Sequence, residues 1–425
     1  MQSVVIDREK GANRFLLLIL SIMIIICETP YLSRNMSTTV VELLMVAFLV
    51  LFFIGKRTLK AEFAKTVACV ALYILLELVY KFTGISSAGI GYYFATIKFL
   101  FIFLAMACVG PLLNKRQQLF LLLLSIAGMI GNMASNVIIY SGMNPSAYVV
   151  YYLRGGQSTN AADTAFSTAV MLLMGAFFLI FLHANNKWLK IGSMAGVIYC
   201  LYFLIFISQR GTTFFLGIMM LLVILTFQVS SRRLLFVLVI LSVFVFWLAL
   251  GGIVPLLTWL STLLKSERID FKIDYIIRFF QTGSIEEAGG SLTGRFDLIM
   301  TSVHTFLGSM RSFFLGVGDH RDSTYLVGNH SQFVDTFARY GILGGVVFIR
   351  LLSQMRNTII KISAVFENNS LHRQMIVMYA FFVIRTFLGN TFVGSIGTQL
   401  FITVPLMVSL LNNKEVSNYK QSSTN

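Results

Sequence analysis

The chain has 425 residues, 57% of them hydrophobic and only 12% charged. A soluble domain of that size carries about 25% charged residues, so an ordinary soluble protein is excluded and an all-α polytopic membrane protein is expected. The net charge of +15 does not signal nucleic acid, because its distribution follows membrane topology instead.

A spanning helix needs about 20 mostly apolar residues, and about twelve segments qualify. They lie near 14–28, 39–55, 64–80, 92–110, 118–140, 162–182, 188–208, 211–229, 233–255, 331–352, 373–391 and 395–412. Basic residues alternate between the connections. Arg8, Lys10 and Arg14, then Lys56, Arg57, Lys60 and Lys65, then Lys115 and Arg116, Lys187 and Lys190, and Arg232 and Arg233 fall on one side. Arg350, Arg356, Lys361, Arg373, Lys414 and Lys420 continue that side, while the opposite short loops hold about one cation each (Arg34, Lys81, Arg154, Arg210, Arg385). The positive-inside rule makes the rich side cytoplasmic. Both termini are then cytoplasmic, and the long loop over 256–330 faces outward. The four cysteines (Cys27, Cys69, Cys108, Cys200) all fall within expected spans and read as packing residues rather than a disulfide framework.

The chain reads as one transmembrane domain over 1–425, without repeats or linkers. Of the outer connections, Ser141 to Ala161 holds Tyr148, Tyr151, Tyr152 and Arg154, which could stack on sugars but fit an interfacial belt better. The 256–330 loop contains two amphipathic stretches. Ile269, Phe271, Ile273, Ile276 and Ile277 mark the first, and a second begins at Thr293-Gly294-Arg295 with Phe296, Ile299, Met300, Val303 and Phe306. Gly316-Val317-Gly318-Asp319 is expected to be a mobile turn. Two short helices joined by glycines would form a cap over the bundle.

Chemistry concentrates where this loop meets the bundle. Histidine is the usual general base near neutral pH, and His330 stands at that junction. Ser331 follows it, and Asp335 and Arg339 are four residues apart on one face of the next span, which also permits a simple ion pair. Arg210 and Arg385 lie near the outer ends of their spans, and Arg295 is on the loop. A cation at that depth is functional or structural, and forked guanidinium donors suit phosphate. His304, His320, Asp319 and Asp322 match no ligand spacing, so no metal site is expected. Gly341, Gly344 and Gly345 allow close helix approach.

The run His330-Ser331, nine residues to Tyr340, then Gly341, Ile342-Leu343 and Gly344 resembles the polysaccharide polymerases and ligases of the O-antigen type. Gly316-Val317-Gly318 and Arg210-Gly211 look like that family's usual neighbouring features. The resemblance implies a GT-C-like fold and a metal-independent, inverting glycosyltransferase in the bacterial plasma membrane, with no cofactor. It implies an undecaprenyl-pyrophosphate-linked glycan as donor and acceptor, with His330 as base and Arg210, Arg339, Arg385 and Arg295 on the pyrophosphate. Membrane lipids and a chain-length regulator are the other expected partners. A ligase of the same family and a lipid-linked oligosaccharide flippase are the alternatives. Few charges fall within the spans, Glu42, Glu77 and Lys98 being the main exceptions, which weighs against transport.

Overall fold

The computed structural model describes residues 13–29, 32, 36, 38–55, 61–82, 90–140, 164–208, 210–228, 255, 258–259, 262, 274, 277, 293–318, 327–328, 330–363 and 370–412. Among the described residues, every regular element is helical. In chain order these are α1 (Arg14–Glu28), α2 (Thr38–Gly55), α3 (Ala61–Phe82), α4 (Ile90–Val109), α5 (Lys115–Tyr140), α6 (Thr164–His183), α7 (Lys187–Ile207) and α8 (Gly211–Thr226). After them come α9 (Thr293–Leu307), α10 (Met310–Leu315), α11 (Gln332–Ser363), α12 (Ser370–Leu388) and α13 (Gly394–Asn412).

Every expected span coincides with a helix except the one at 233–255, which lies outside the described residues. Among the described residues, five helices are long and apolar enough to cross a membrane: the Lys115–Ile138 part of α5, the Ala165–His183 part of α6, α7, α11 and α13. Three further apolar helical stretches, Thr39–Ile54, Thr96–Leu112 and Gly211–Thr226, are shorter. The tyrosine-rich connection is outside the described residues, as is the first amphipathic stretch of the long loop apart from Asp274 and Ile277. The second stretch forms α9, which starts at Thr293 as its pattern predicts.

The distribution of apolar surface is that of a protein in lipid. On α1, Phe15, Leu18, Ile22 and Ile25 are exposed at the spacing of one helix face, and Leu343, Val346 and Ile349 form a similar stripe on α11. A water-soluble monomer rarely leaves such contiguous stripes open. The interior, conversely, encloses polar groups such as Gln374, Gln399 and Arg385. The core is aromatic near the junction with the loop. Phe99 stacks on Phe392 at 4.4 Å and Phe333 on Phe387 at 4.1 Å, tying α4, α11 and α12 to the segment that precedes α13. Such pairs add about 0.5–1.5 kcal/mol each beyond the area they bury.

Candidate active site

The site is built at the start of α11. Ser331 caps this helix: its Oγ accepts from the backbone N–H of Val334 at 3.1 Å and donates to the carbonyl of Thr386 on α12 at 3.4 Å. A serine cap of this kind contributes about 1 kcal/mol and fixes where the helix begins. Asp335, one turn on, accepts the N–H of Ser331 at Oδ2 (3.0 Å) and the hydroxyl of Ser302 on α9 at Oδ1 (2.6 Å). Ser302 in turn accepts the N–H of Gly328 at 2.8 Å. The N–H of Gln332 donates to the carbonyl of Gly389 at 3.3 Å.

These bonds bracket His330 from both sides. Gly328 is pressed so closely on α9 that a Cβ there would collide with the carbonyl of Leu298. Two residues later His330 is exposed, while Ser331 is fully enclosed. The imidazole is thus displayed on a short stretch of backbone tied to α9, α11 and α12 at once.

Asp335 and Arg339 lie one turn apart on α11 as expected, and the carboxylate has further partners. Both carboxylate oxygens are occupied by Ser302 and Ser331, and Arg339, a turn further along, acts on Asp335 through its charge. Asp335 is therefore a bracket for the His330 loop, formed with a serine that sequence reasoning passed over. Ser302 could have been noticed as a small polar residue on the face of α9 that also carries Leu298 and Phe306.

The glycine motif has a second role beside the packing expected of it. α11 is broken at Gly341, whose φ of 64° and ψ of −165° lie outside any helix. A break there takes the carbonyls of the preceding turn out of the regular ladder. Those of Ala338 and Arg339 accept instead from Val317 (3.0 Å) and Gly318 (2.9 Å). Gly316-Val317-Gly318 is therefore not a mobile turn but a clamp, with Gly316 at φ 75° and Gly318 at φ 72°. A Cβ at Gly316 would strike Arg339, and one at Gly341 would strike the carbonyl of Phe314. Gly344 leaves room for Tyr340 across the kink, and Gly345 for Phe337. The packing role expected of these glycines is joined by a conformational one at Gly341.

The arginines occupy helices around this junction. Arg339 is 5% exposed and Arg385 is 1% exposed, deep for a residue type that stays at surfaces unless engaged. Arg385 donates from Nε to the hydroxyl of Thr168 on α6 at 3.1 Å and lies one turn before Gly389, the acceptor for Gln332. Arg210 is half-buried just before α8, which packs against α6 and α12, the helices that the Arg385–Thr168 bond connects. Arg295 falls in the first turn of α9, and its side chain is outside the described residues. The structure thus joins Ser331, the chain neighbour of His330, to Asp335 and to the Arg385 end of α12 by hydrogen bonds, and carries Arg339 on the same helix as Asp335.

Beside α9 and α10 lies an open cavity of about 510 Å³, lined by Thr301, His304, Thr305, Gly308, Ser309, Ser312 and Val317. Its hydroxyls and imidazole could meet sugar hydroxyls, and Val317 connects it to the clamp on α11. Among the described residues, no group of three or more His, Cys, Asp and Glu side chains could hold a metal ion. No protein-family model matches the chain, and no curated protein matches it.

Proposed function

We propose that the chain is a polysaccharide polymerase that joins undecaprenyl-pyrophosphate-linked oligosaccharide repeat units at the outer face of the bacterial plasma membrane. The reading includes about twelve spans, cytoplasmic termini and a GT-C-like arrangement with the 256–330 loop as an outer cap. The observation that carries it is the exposed His330, bracketed by Ser331, Asp335 and Ser302, at the end of a bundle in which Arg339 and Arg385 are buried.

In this reading the guanidinium groups of Arg339 and Arg385, with Arg210 and Arg295, bind the pyrophosphate of the donor. His330 takes the proton from a hydroxyl of the acceptor sugar as that oxygen attacks the anomeric carbon. The bond from the anomeric carbon to the phosphate oxygen breaks, and its electron pair leaves with the lipid pyrophosphate. Charge growing on the leaving group is what fixed cationic donors stabilise, and enclosure away from water strengthens them. Attack opposite the leaving group inverts the linkage. Arginine does this better than lysine because its planar fork matches two phosphate oxygens at once.

A ligase of the same family would use the same donor chemistry and differ only in its acceptor. A lipid-linked oligosaccharide transporter is favoured by a separate observation, the enclosed carboxylate of Glu28, which was not among the few span charges expected. Glycan profiling of a deletion strain separates the three. Single repeat units on the final anchor indicate a lost polymerase, long polymer retained on the carrier lipid a lost ligase, and repeat units trapped on the inner leaflet a lost transporter.

A further inference from the structure

Away from His330, a second polar centre lies where α1, α5 and α13 meet. Glu28, the last residue of α1, is 2% exposed, and Gln399 on α13 is completely enclosed. Glu28 Oε1 accepts the hydroxyl of Thr398 and the Nε2 of Gln399, the latter at 3.0 Å. Gln399 Nε2 also reaches Ser125 Oγ at 3.3 Å, and Asn132 donates to the Glu28 carbonyl at 3.0 Å. Both Ser125 and Asn132 are on α5, two turns apart, so they fall on one face of that helix.

This network leaves two oxygens over. Glu28 Oε2 and Gln399 Oε1 are both buried, and no described protein group donates to either. The orientation of the Gln399 amide is fixed by its two donated bonds, so turning it over would lose them. A buried carboxylate oxygen and an amide oxygen without donors are costly in a bilayer interior unless something positive meets them.

The surroundings define that something. The centre offers one carboxylate and otherwise neutral hydroxyl and amide oxygens, which balances a single positive charge and would leave a divalent ion uncompensated. α5 packs closely on the Glu28 stem, since a Cβ at Gly128 would lie 2.9 Å from Glu28 Cβ. Gln399 opens a π-helical turn that runs to Thr403, and such turns take backbone carbonyls out of the regular ladder, as transport proteins do at ion sites. Lys98, on α4, is a buried cation close to Cys27. It and Cys27 flank Gly394, where a Cβ would meet Cys27 Sγ at 2.5 Å and Lys98 Cβ at 3.4 Å. Lys98 makes no hydrogen bond to Glu28 Oε2.

We propose that Glu28, Thr398, Gln399, Ser125 and Asn132 form a binding site for a small monovalent cation, sodium, in the outer part of the bundle. The site joins α1 to α5 and α13, so its occupation fastens the first helix to the last. It does not depend on the polymerase reading, because none of its residues belongs to the His330 junction. A proton on Glu28 is the competing occupant.

The test uses the purified full-length protein in lipid nanodiscs. Thermal unfolding is followed in sodium, potassium and choline chloride at equal ionic strength and over a range of pH, together with binding of radioactive sodium. Sodium is expected to raise Tm by at least roughly 2 °C over choline, increasing with its concentration as a ligand of the native state does. Saturable sodium binding should accompany the rise and disappear in Glu28→Gln. Should that variant not fold, Gln399→Leu and Thr398→Val give the same reading, each expected to weaken sodium binding by about tenfold or more. Equal Tm in all three salts would overturn the proposal. So would a Tm that depends on pH alone in choline and in sodium alike, which assigns the site to a proton.

Discussion

The backbone N–H of Gly318 donates to the carbonyl of Arg339 across 2.9 Å, so the loop closes a helix break made by Gly341. A loop residue and a buried arginine are thereby held in one piece of backbone. Displacing the loop displaces the arginine.

Gly341→Ala tests that relationship. Its φ of 64° is costly for any residue with a Cβ, and the added methyl would meet the Phe314 carbonyl. A destabilisation of about 1–3 kcal/mol is expected from backbone strain, with more from the collision. Thermal unfolding in nanodiscs should register a lower Tm, whereas Gly192→Ala, at a helical glycine with open space around it, should not lower Tm.

Ser302→Ala removes the hydroxyl that links Gly328 to Asp335. One carboxylate oxygen and one buried N–H lose their partner, a cost of about 1–3 kcal/mol. The loop carrying His330 should then exchange its amide hydrogens faster, measured by hydrogen–deuterium exchange across 327–331. Exchange as slow as in the native protein would mean that the bracket is not what holds His330.

Arg385→Lys retains the charge and loses the fork. If Arg385 binds pyrophosphate, polymer formation in cells should fall by roughly 100-fold while the protein remains in the membrane. Thr168→Val removes the Nε partner alone and should cost only about 1 kcal/mol of stability. A Thr168→Val protein as inactive as Arg385→Lys would point to a structural arginine.

Much of the fold was legible because bilayer physics is written in long apolar runs, and the helix positions follow them closely. α9 was legible too, down to Thr293, because its polar face alternates with apolar residues at helical spacing. The junction was harder. The pattern His330 to Gly344 was visible, yet spacing alone does not say that Gly341 breaks a helix, nor that Gly316 and Gly318 repair the break with backbone donors. That information lies in φ angles and in a contact between residues some twenty positions apart. Ser302 and Glu28 were missed for a similar reason. Ser302 looks like any small polar residue on a helix, and Glu28 looks like a helix end at the interface until α5 and α13 enclose it.

The most direct test of the central claim is His330→Ala in cells, with glycan length read by gel profiling and membrane level by immunoblot. A base of this kind contributes about 100-fold to 10,000-fold, so long polymer should vanish and single repeat units remain at unchanged protein level. Long polymer of normal length distribution in that variant would contradict the account.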